Sequence, residues 1–459
     1  MGKNSKNSSL SRRDFMKLGA GAAALGAAAK VTVLEPAALW ASARPVPPSD
    51  TIRFAIVGTG VRGAELLQAT RRIAGVECVA AADLYDSRHI VAREALGGKD
   101  ILTTRDYRQV FDRKDVDAVI IAATDHWHRK LVEDAAAAGK DVYCEKPLSH
   151  SVEDGFAMVA AAQKHKRMVT VGSQRVSSVL YAKAAEIYKS GKLGTVSTIL
   201  GAWDRNGDSG AWVYPIPPDA SEKTIDWTAF LGSKPKRAFD PVLFFRWRCY
   251  KDFGAGLAGD LFVHILSGIQ RVTGVNAIPS RALSTGGLYY FRDGREFPDL
   301  LWTMYDYPDF QVVTRCNHNN DDVGEFFGFY GKEGTLEIRG NRLTFRPQET
   351  RPQPEGYSIW GWPAKMRSEY FAEWNKKYPQ PDPLKWKTEA VEEVYTTPPG
   401  YNDTADHLAN WFDSIRTRKP VIEDEVFGNN TSVACHLANA SYFAGTVARW
   451  DAGSKTIKT

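Results

Sequence analysis

From Thr51 onward, apolar runs and helical spacings take turns along the chain. Ile52–Val57 is an almost unbroken apolar run, and Val61–Thr70 carries helical spacing. Val76–Ala82 is a second apolar run that stops at Asp83, and a helix is predicted over Arg88–Leu96. Ala118–Ala122, Asp141–Cys144 and Met168–Val171 repeat the strand pattern, with helices expected over His128–Ala138 and Val152–Lys164. Shorter pieces fall at Ile101–Thr103 and Tyr107–Phe111. Strands separated by helices pair in parallel and are buried on both faces, so residues 51–174 are predicted to form one doubly wound α/β domain.

The rhythm changes in residues 175–459. A helix over Leu180–Ser190 leads into alternation at Val196–Trp203, and then Asn206–Phe253 is rich in Gly, Pro and aromatics. A connection that long inside a compact enzyme is more often functional than structureless. Its Trp212, Tyr214, Trp227, Trp247 and Tyr250 suit either stacking on a sugar ring or pinning the segment to the body. Strands are expected at Ser280–Tyr290, Leu300–Tyr305, Phe310–Asn317 and Gly324–Tyr330, with a hairpin signal at Gly331–Ile338. Arg351–Pro383 reads as an insertion with a helix at Lys365–Lys377. Helices are expected at Asp403–Arg416 and Val433–Ala448.

Ahead of all this stands Ser11-Arg12-Arg13-Asp14-Phe15-Met16-Lys17, an Ala/Gly-rich stretch from Leu18 to Ala29, and a small-residue cleavage signal at Ala41-Ser42-Ala43. This resembles a twin-arginine export leader covering residues 1–43, with 44–50 as a Pro-rich linker, and it implies a periplasmic or otherwise exported protein. The stretch is too weakly apolar for a membrane anchor, and no stable span is expected after processing. The leader also alters the charge. The formal net charge is +5, and Lys3, Lys6, Arg12, Arg13, Lys17 and Lys30 against Asp14 and Glu35 account for most of it. Little basicity is left to argue for a nucleic-acid partner. Five cysteines without close paired spacing argue against a disulfide framework.

Candidate chemistry begins at Gly58-Thr59-Gly60-Val61-Arg62-Gly63. Gly58 permits a tight strand-to-helix turn, Gly60 a close backbone approach to a pyrophosphate, and Gly63 close helix packing on the sheet. The helix start then presents amides to negative phosphates. Asp83, at the end of the second strand, is placed to accept from the adenosine ribose hydroxyls and to repel a 2′-phosphate. NAD is therefore favoured, with NADP open because Arg62 and Arg88 adjoin the same region.

Further along the expected carboxyl edge lie Thr124, His126, Trp127 and His128 after one strand, Glu145-Lys146-Pro147 after another, and Gln174 after the last. The two histidines lack a third ligand, so no metal is expected; His128 equally suits a cap or core position. Lys146 can hydrogen-bond a substrate hydroxyl and steady its charge as the proton leaves. On a helix, Asp260 and His264 lie a turn apart on one face. Imidazole suits proton uptake during alcohol oxidation, and Asp260 can orient the substrate or hold His264 or Lys146. His318 and His407 are secondary candidates.

Taken together, the glycine motif, Asp83, Thr124–His128, Cys144–Pro147 and Gly172–Arg175 resemble the Gfo/Idh/MocA oxidoreductases. The resemblance implies an N-terminal Rossmann domain plus a C-terminal α/β domain with a large open, mainly antiparallel sheet, which often forms homo-oligomer contacts. It puts the family's catalytic lysine at Lys146 and its Asp-x-x-x-His pair at Asp260 and His264. It also implies that the last helices can pack back on the first domain. Many relatives carry a further aspartate four residues after that histidine, where this chain has Gly268. The expected activity is oxidation of a secondary hydroxyl of a sugar, polyol or sugar derivative. Since free cofactor is scarce outside the cytosol, an exported enzyme would retain and recycle it. The alternative is NAD-dependent glycoside hydrolysis or lyase chemistry through transient oxidation, elimination and re-addition.

Overall fold

The computed structural model describes residues 30–35, 47, 50–348, 357–379 and 392–459. The Arg12-Arg13 motif, the cleavage signal and most of the 44–50 linker lie outside the described residues.

Six parallel strands form the first sheet: β2 (Ile52–Val57), β3 (Val76–Ala82), β4 (Leu102–Thr104), β5 (Ala118–Ile121), β6 (Asp141–Cys144) and β7 (Val169–Val171), in the order β4-β3-β2-β5-β6-β7. The apolar runs form its centre: every residue of β5 and β6 is buried. One core fills each face, as the continuous apolar runs require. The helix after β5 runs Asp125–Ala137, three residues earlier than its apolar spacing suggests, so His126, Trp127 and His128 sit in its first turn.

Among the described residues the second sheet has eleven strands. β8 (Val196–Trp203), β9 (Arg281–Gly287), β10 (Leu300–Asp306), β11 (Gln311–Asn317), β12 (Glu325–Gly331), β13 (Gly334–Arg339) and β14 (Arg342–Pro347) form its body, and β15 (Glu393–Thr396), β16 (Ala448–Asp451) and β17 (Thr456–Lys458) extend it. Pairing is antiparallel except for β11 with β8 and for β15 with the outermost strand, β1 (Lys30–Val33). The order is β1-β15-β14-β13-β12-β8-β11-β10-β9-β16-β17. Period-two burial, such as the pattern along β10, puts one face on the core. The other face leaves Leu283, Trp302 and Met304 exposed.

Three features bear on the sequence reading. Four residues of the expected leader form β1, and the amide of Leu34 continues the pairing by donating to Thr396 O at 2.8 Å. The helix Asp403–Thr417 belongs to the first domain's core: Trp411 and Phe412 are fully buried beside Ile52 and Ile56, with the Phe412 ring 5.4 Å from that of Phe54. A boundary at residue 175 is thus crossed back by the chain. Finally, the last long helix is Glu425–Ala444, opened by Asp424 accepting from the Phe427 amide, and Ala448 starts β16 instead of ending a helix.

Candidate active site

The glycine loop lies between β2 and its helix. Gly58 has φ +90°, and a Cβ there would sit 2.4 Å from the Ala122 carbonyl oxygen. A Cβ at Gly63 would lie 2.1 Å from the Gly58 carbonyl oxygen. The loop is therefore pressed against β5 on one side and its own helix on the other, which leaves bare backbone amides at the helix start for a pyrophosphate. Asp83 is buried and held in place: its Oδ2 accepts from the Thr59 amide at 2.7 Å, and its Oδ1 accepts from the Tyr85 amide at 3.0 Å. Arg88 pairs with Asp83 at 3.6 Å, lies over Gly60, and rests against the rings of Tyr85, Phe244 and Phe245. These residues fit a dinucleotide. The Val61 side chain is exposed. Gly58→Ala places a side chain at a positive φ and against a carbonyl; we expect a loss of about 1–3 kcal/mol in stability and at least tenfold weaker NAD binding, read by denaturant unfolding and by NADH fluorescence titration.

Arg62 spans the loop to the far side of the cleft, donating to Glu145 Oε1 at 2.7 Å and to Gln174 Oε1 at 3.3 Å. Three expected cofactor residues are thereby brought together. His126, Trp127 and His128 point elsewhere. His126 Nε2 lies 2.8 Å from the Phe230 carbonyl and Trp127 Nε1 donates to the same oxygen at 3.0 Å, while Thr124 Oγ1 holds His126 Nδ1 at 3.0 Å. The two rings clamp the 206–253 segment. His128 is fully buried, with its ring nitrogens 2.9 Å from the Pro147 carbonyl and 3.2 Å from that of Ala123. No nitrogen is left for a ligand, which corrects its assignment to the cofactor.

Lys146 follows β6, so the sheet delivers it to the carboxyl edge; the next peptide bond, to Pro147, is cis. Its Nζ donates to the Asp260 carbonyl oxygen at 2.7 Å and to Asp260 Oδ1 at 2.9 Å. An ammonium has three donors, and one remains for a substrate oxygen. Asp260 also accepts from Arg248 Nε at 3.0 Å and from Trp212 Nε1 at 3.2 Å, and Arg205 Nη1 stands 3.7 Å away. Burial opposes ionisation of this carboxylate, yet Lys146, Arg248 and Arg205 outweigh it and hold the group well below the usual range.

Asp260 and His264 do not form a regular one-turn pair. Ala258–Phe262 is a π-turn that opens the helix Val263–Thr273, and its wider winding turns the two side chains to different neighbours. His264 stacks on Trp203 with centroids 4.7 Å apart at 24°, and its Nδ1 is buried without a partner. Burial, with Lys146 next, holds this imidazole neutral well below its ordinary pKa. Gly268, one turn on, packs where a Cβ would meet the Tyr181 ring at 2.6 Å and that of Phe327 at 3.0 Å. The helix face that carries an aspartate in relatives is here closed by the core.

The aromatic segment divides between two tasks. Trp212, held at φ +62°, reaches Asp260, whereas Trp227, Phe230, Phe244 and Phe253 build a small core of their own, with Trp247 and Tyr250 packed on it. His318 is buried edge-on to Trp212 with both ring nitrogens partnerless. His407 is occupied by Ser177 Oγ and the Val171 carbonyl, both at 2.7 Å, and is structural. Arg248, within the segment, and Trp203 and Arg205, just ahead of it, escaped the sequence reading as site residues, because nothing in their local spacing distinguishes them from other polar or aromatic residues.

Burial depresses His126 and His318 to about 3, and His407 and His436 to about 4. The unfolded chain therefore takes up these protons first, so their contribution is complete above the unfolded value near 6.5 and is lost as pH falls toward 4 for His407 and His436 and toward 3 for His126 and His318. Each histidine contributes a slope of about 1.4 kcal/mol per pH unit across that window. Denaturant melts between pH 7 and 4.5 should show a steep decline, blunted in His436→Gln.

Comparison with known proteins bears on the nucleotide domain and on the fold. Residues 52–173 match the GFO_IDH_MocA oxidoreductase family, NAD-binding Rossmann fold. The chain is 35% identical over 147 residues to inositol 2-dehydrogenase 3 of Saccharopolyspora erythraea, covering 32% of this chain and 43% of that enzyme. It is 26% identical over 303 residues to levoglucosan dehydrogenase of Pseudarthrobacter phenanthrenivorans, covering 57% and 69%. The match thus spans less than half of the inositol dehydrogenase. The fold similarity reaches further: an aldose-aldose oxidoreductase from Caulobacter crescentus, complexed with glycerol, superposes at TM-score 0.60 and 19% identity over 87% of this chain and 99% of that one. An NAD-binding oxidoreductase from Klebsiella pneumoniae gives 0.62 at 19%, with the same coverage. Residues 52–173 thus match the NAD-binding Rossmann domain of the Gfo/Idh/MocA oxidoreductases, and the solved structures share the fold of the chain beyond it.

Proposed function

We propose that the protein oxidises a secondary hydroxyl of a sugar, polyol or sugar derivative with a retained NAD. The observation that carries this reading is the meeting of Lys146, from the nucleotide domain, with Asp260 on the element that also bears His264. Bound NAD supplies a hydride acceptor, held by the Gly58–Gly63 backbone and Asp83. The third Lys146 donor steadies the substrate oxygen as its proton leaves. Neutral His264 takes that proton, and the resulting imidazolium lies on the Trp203 face, which favours a cation. Asp260 holds the Lys146 ammonium in position.

Export by a twin-arginine route accounts for the Arg12-Arg13 motif and makes cofactor retention necessary. Mass and absorbance spectra of the native protein should show bound dinucleotide, and product mass spectrometry on a panel of sugars and glycosides should show oxidised sugar. Glycosidic cleavage without net oxidation would overturn the proposal. Exposed Leu283, Trp302 and Met304 on one sheet face support a homo-oligomer. Trp302→Glu should halve the mass seen by light scattering if this face is the contact; an unchanged mass rules it out.

A further inference from the structure

We infer that the substrate carries a carboxylate, as a uronic acid does, and that Arg205 and Arg248 receive it; this rests on the oxidoreductase reading above. The first argument is charge. Three cations surround one carboxylate: Lys146 Nζ at 2.9 Å, Arg248 Nε at 3.0 Å and Arg205 Nη1 at 3.7 Å from Asp260. His264 is neutral and adds nothing. Of the other acids nearby, Glu145 is already paired with Arg62 at 2.7 Å, and Asp125 accepts from the Ala255 amide at 3.2 Å; burial raises Asp125 to about 7, so its ionised form is only partly populated at neutral pH. A partly buried site with excess positive charge is costly unless an anion completes it.

The second argument is donor supply. Arg248 spends only Nε on Asp260, and its guanidinium lies 4.2 Å from the Trp247 ring centre, which fixes its plane. Arg205 stands beyond hydrogen-bond range of Asp260, although its own amide donates to the Asn317 carbonyl at 2.8 Å and anchors the backbone. About a quarter of the Arg248 side chain and a third of the Arg205 side chain stay accessible (25% and 32%). Planar guanidiniums with free donors match a carboxylate's paired oxygens.

The third argument is a shortage of acceptors. A neutral polyol is gripped by groups that accept from its hydroxyls, but Asp260 is engaged by cations and Trp212. Position 268 has no room for another carboxylate beside Tyr181 and Phe327. Nor are the two arginines the pyrophosphate's partners: Arg248 is bonded to Asp260 and Arg205 stands 3.7 Å from it, whereas the Gly58–Gly63 loop offers the phosphate cradle.

The full chain with its NAD should be assayed against D-glucuronate, D-galacturonate, D-glucose, D-galactose and D-glucose 6-phosphate. Product mass spectrometry reads turnover and titration calorimetry reads binding. Uronates should exceed the parent aldoses at least 100-fold in kcat/KM, and Arg205→Gln or Arg248→Gln should lower uronate affinity about 10- to 100-fold and collapse the uronate-to-aldose ratio. Arg248→Lys should retain part of that ratio, and if Arg248→Gln does not fold, Arg205→Gln decides the matter. Equal use of aldoses and uronates, preference for the phosphate ester, or an unchanged ratio in the arginine variants overturns the inference. Oxidation of aldoses alone overturns it while leaving the oxidoreductase reading intact. If no sugar is oxidised with dinucleotide bound, that reading falls, and calorimetric preference for aldoses or for neither class overturns the inference separately.

Discussion

Lys146→Met is expected to reduce turnover by about 10²–10⁴-fold while dinucleotide binding changes less than threefold. The lysine is not part of the glycine cradle; its ammonium is tied to Asp260 by two of its three donors, and only the third is free for the substrate oxygen. Burial lowers its pKa while Asp260 acts to raise it. Methionine keeps the length and packing but removes the donor, so an alkoxide forms without a nearby positive charge. Single-turnover kinetics with loaded enzyme should separate the two effects: the chemical step slows and cofactor affinity persists. Turnover near that of the unmodified protein would remove Lys146 from the mechanism.

Asp260→Leu is expected to be the most damaging change to the fold at this site, costing about 3–5 kcal/mol. The loss arises from what stays behind. Lys146, Arg248 and Arg205 would face one another across a buried space with their shared acceptor gone, and the Trp212 indole would lose its partner as well. Asp260→Asn keeps an acceptor and should lose less. Denaturant unfolding of the two variants checks the order; equal stability of Leu and Asp at this position would show that the charges are not coupled through it. Because Trp212 anchors the long segment here, Asp260→Leu should also quicken proteolysis within residues 206–253.

How far the sequence announced this arrangement depended on the range of the interaction involved. Continuous apolar runs reveal buried parallel strands because burial on two faces leaves no polar positions, and β2, β3, β5 and β6 were legible for that reason. Lys146 was legible because a strand end has only one direction to go. The helix Asp403–Thr417 was recognisable as amphipathic, but its partner core lies in residues 52–143 of the chain, and no local period encodes that pairing. The π-turn left no trace, since one wider turn does not disturb the apolar spacing of the helix that follows. Arg205 and Arg248 were hidden in the same way: an ion pair is a meeting of residues that each look like surface. The reading of Trp212 and Trp227 as one class failed because burial against a neighbour and hydrogen bonding to Asp260 use the same ring.

The strand Lys30–Val33 lies within the proposed leader and is paired with β15, so the proposed cut after Ala43 bears on the sheet. A cut after Ala43 severs that strand from the rest of the chain by covalent connection, leaving only its pairing with β15 to hold it. Once it departs, Glu393–Thr396 becomes the rim of the sheet, with a row of unpaired amides and carbonyls open to water or to another extended segment. If the proposed leader is removed, the border of the sheet changes with it, and sequencing the N-terminus of the purified protein tells which border the working protein has.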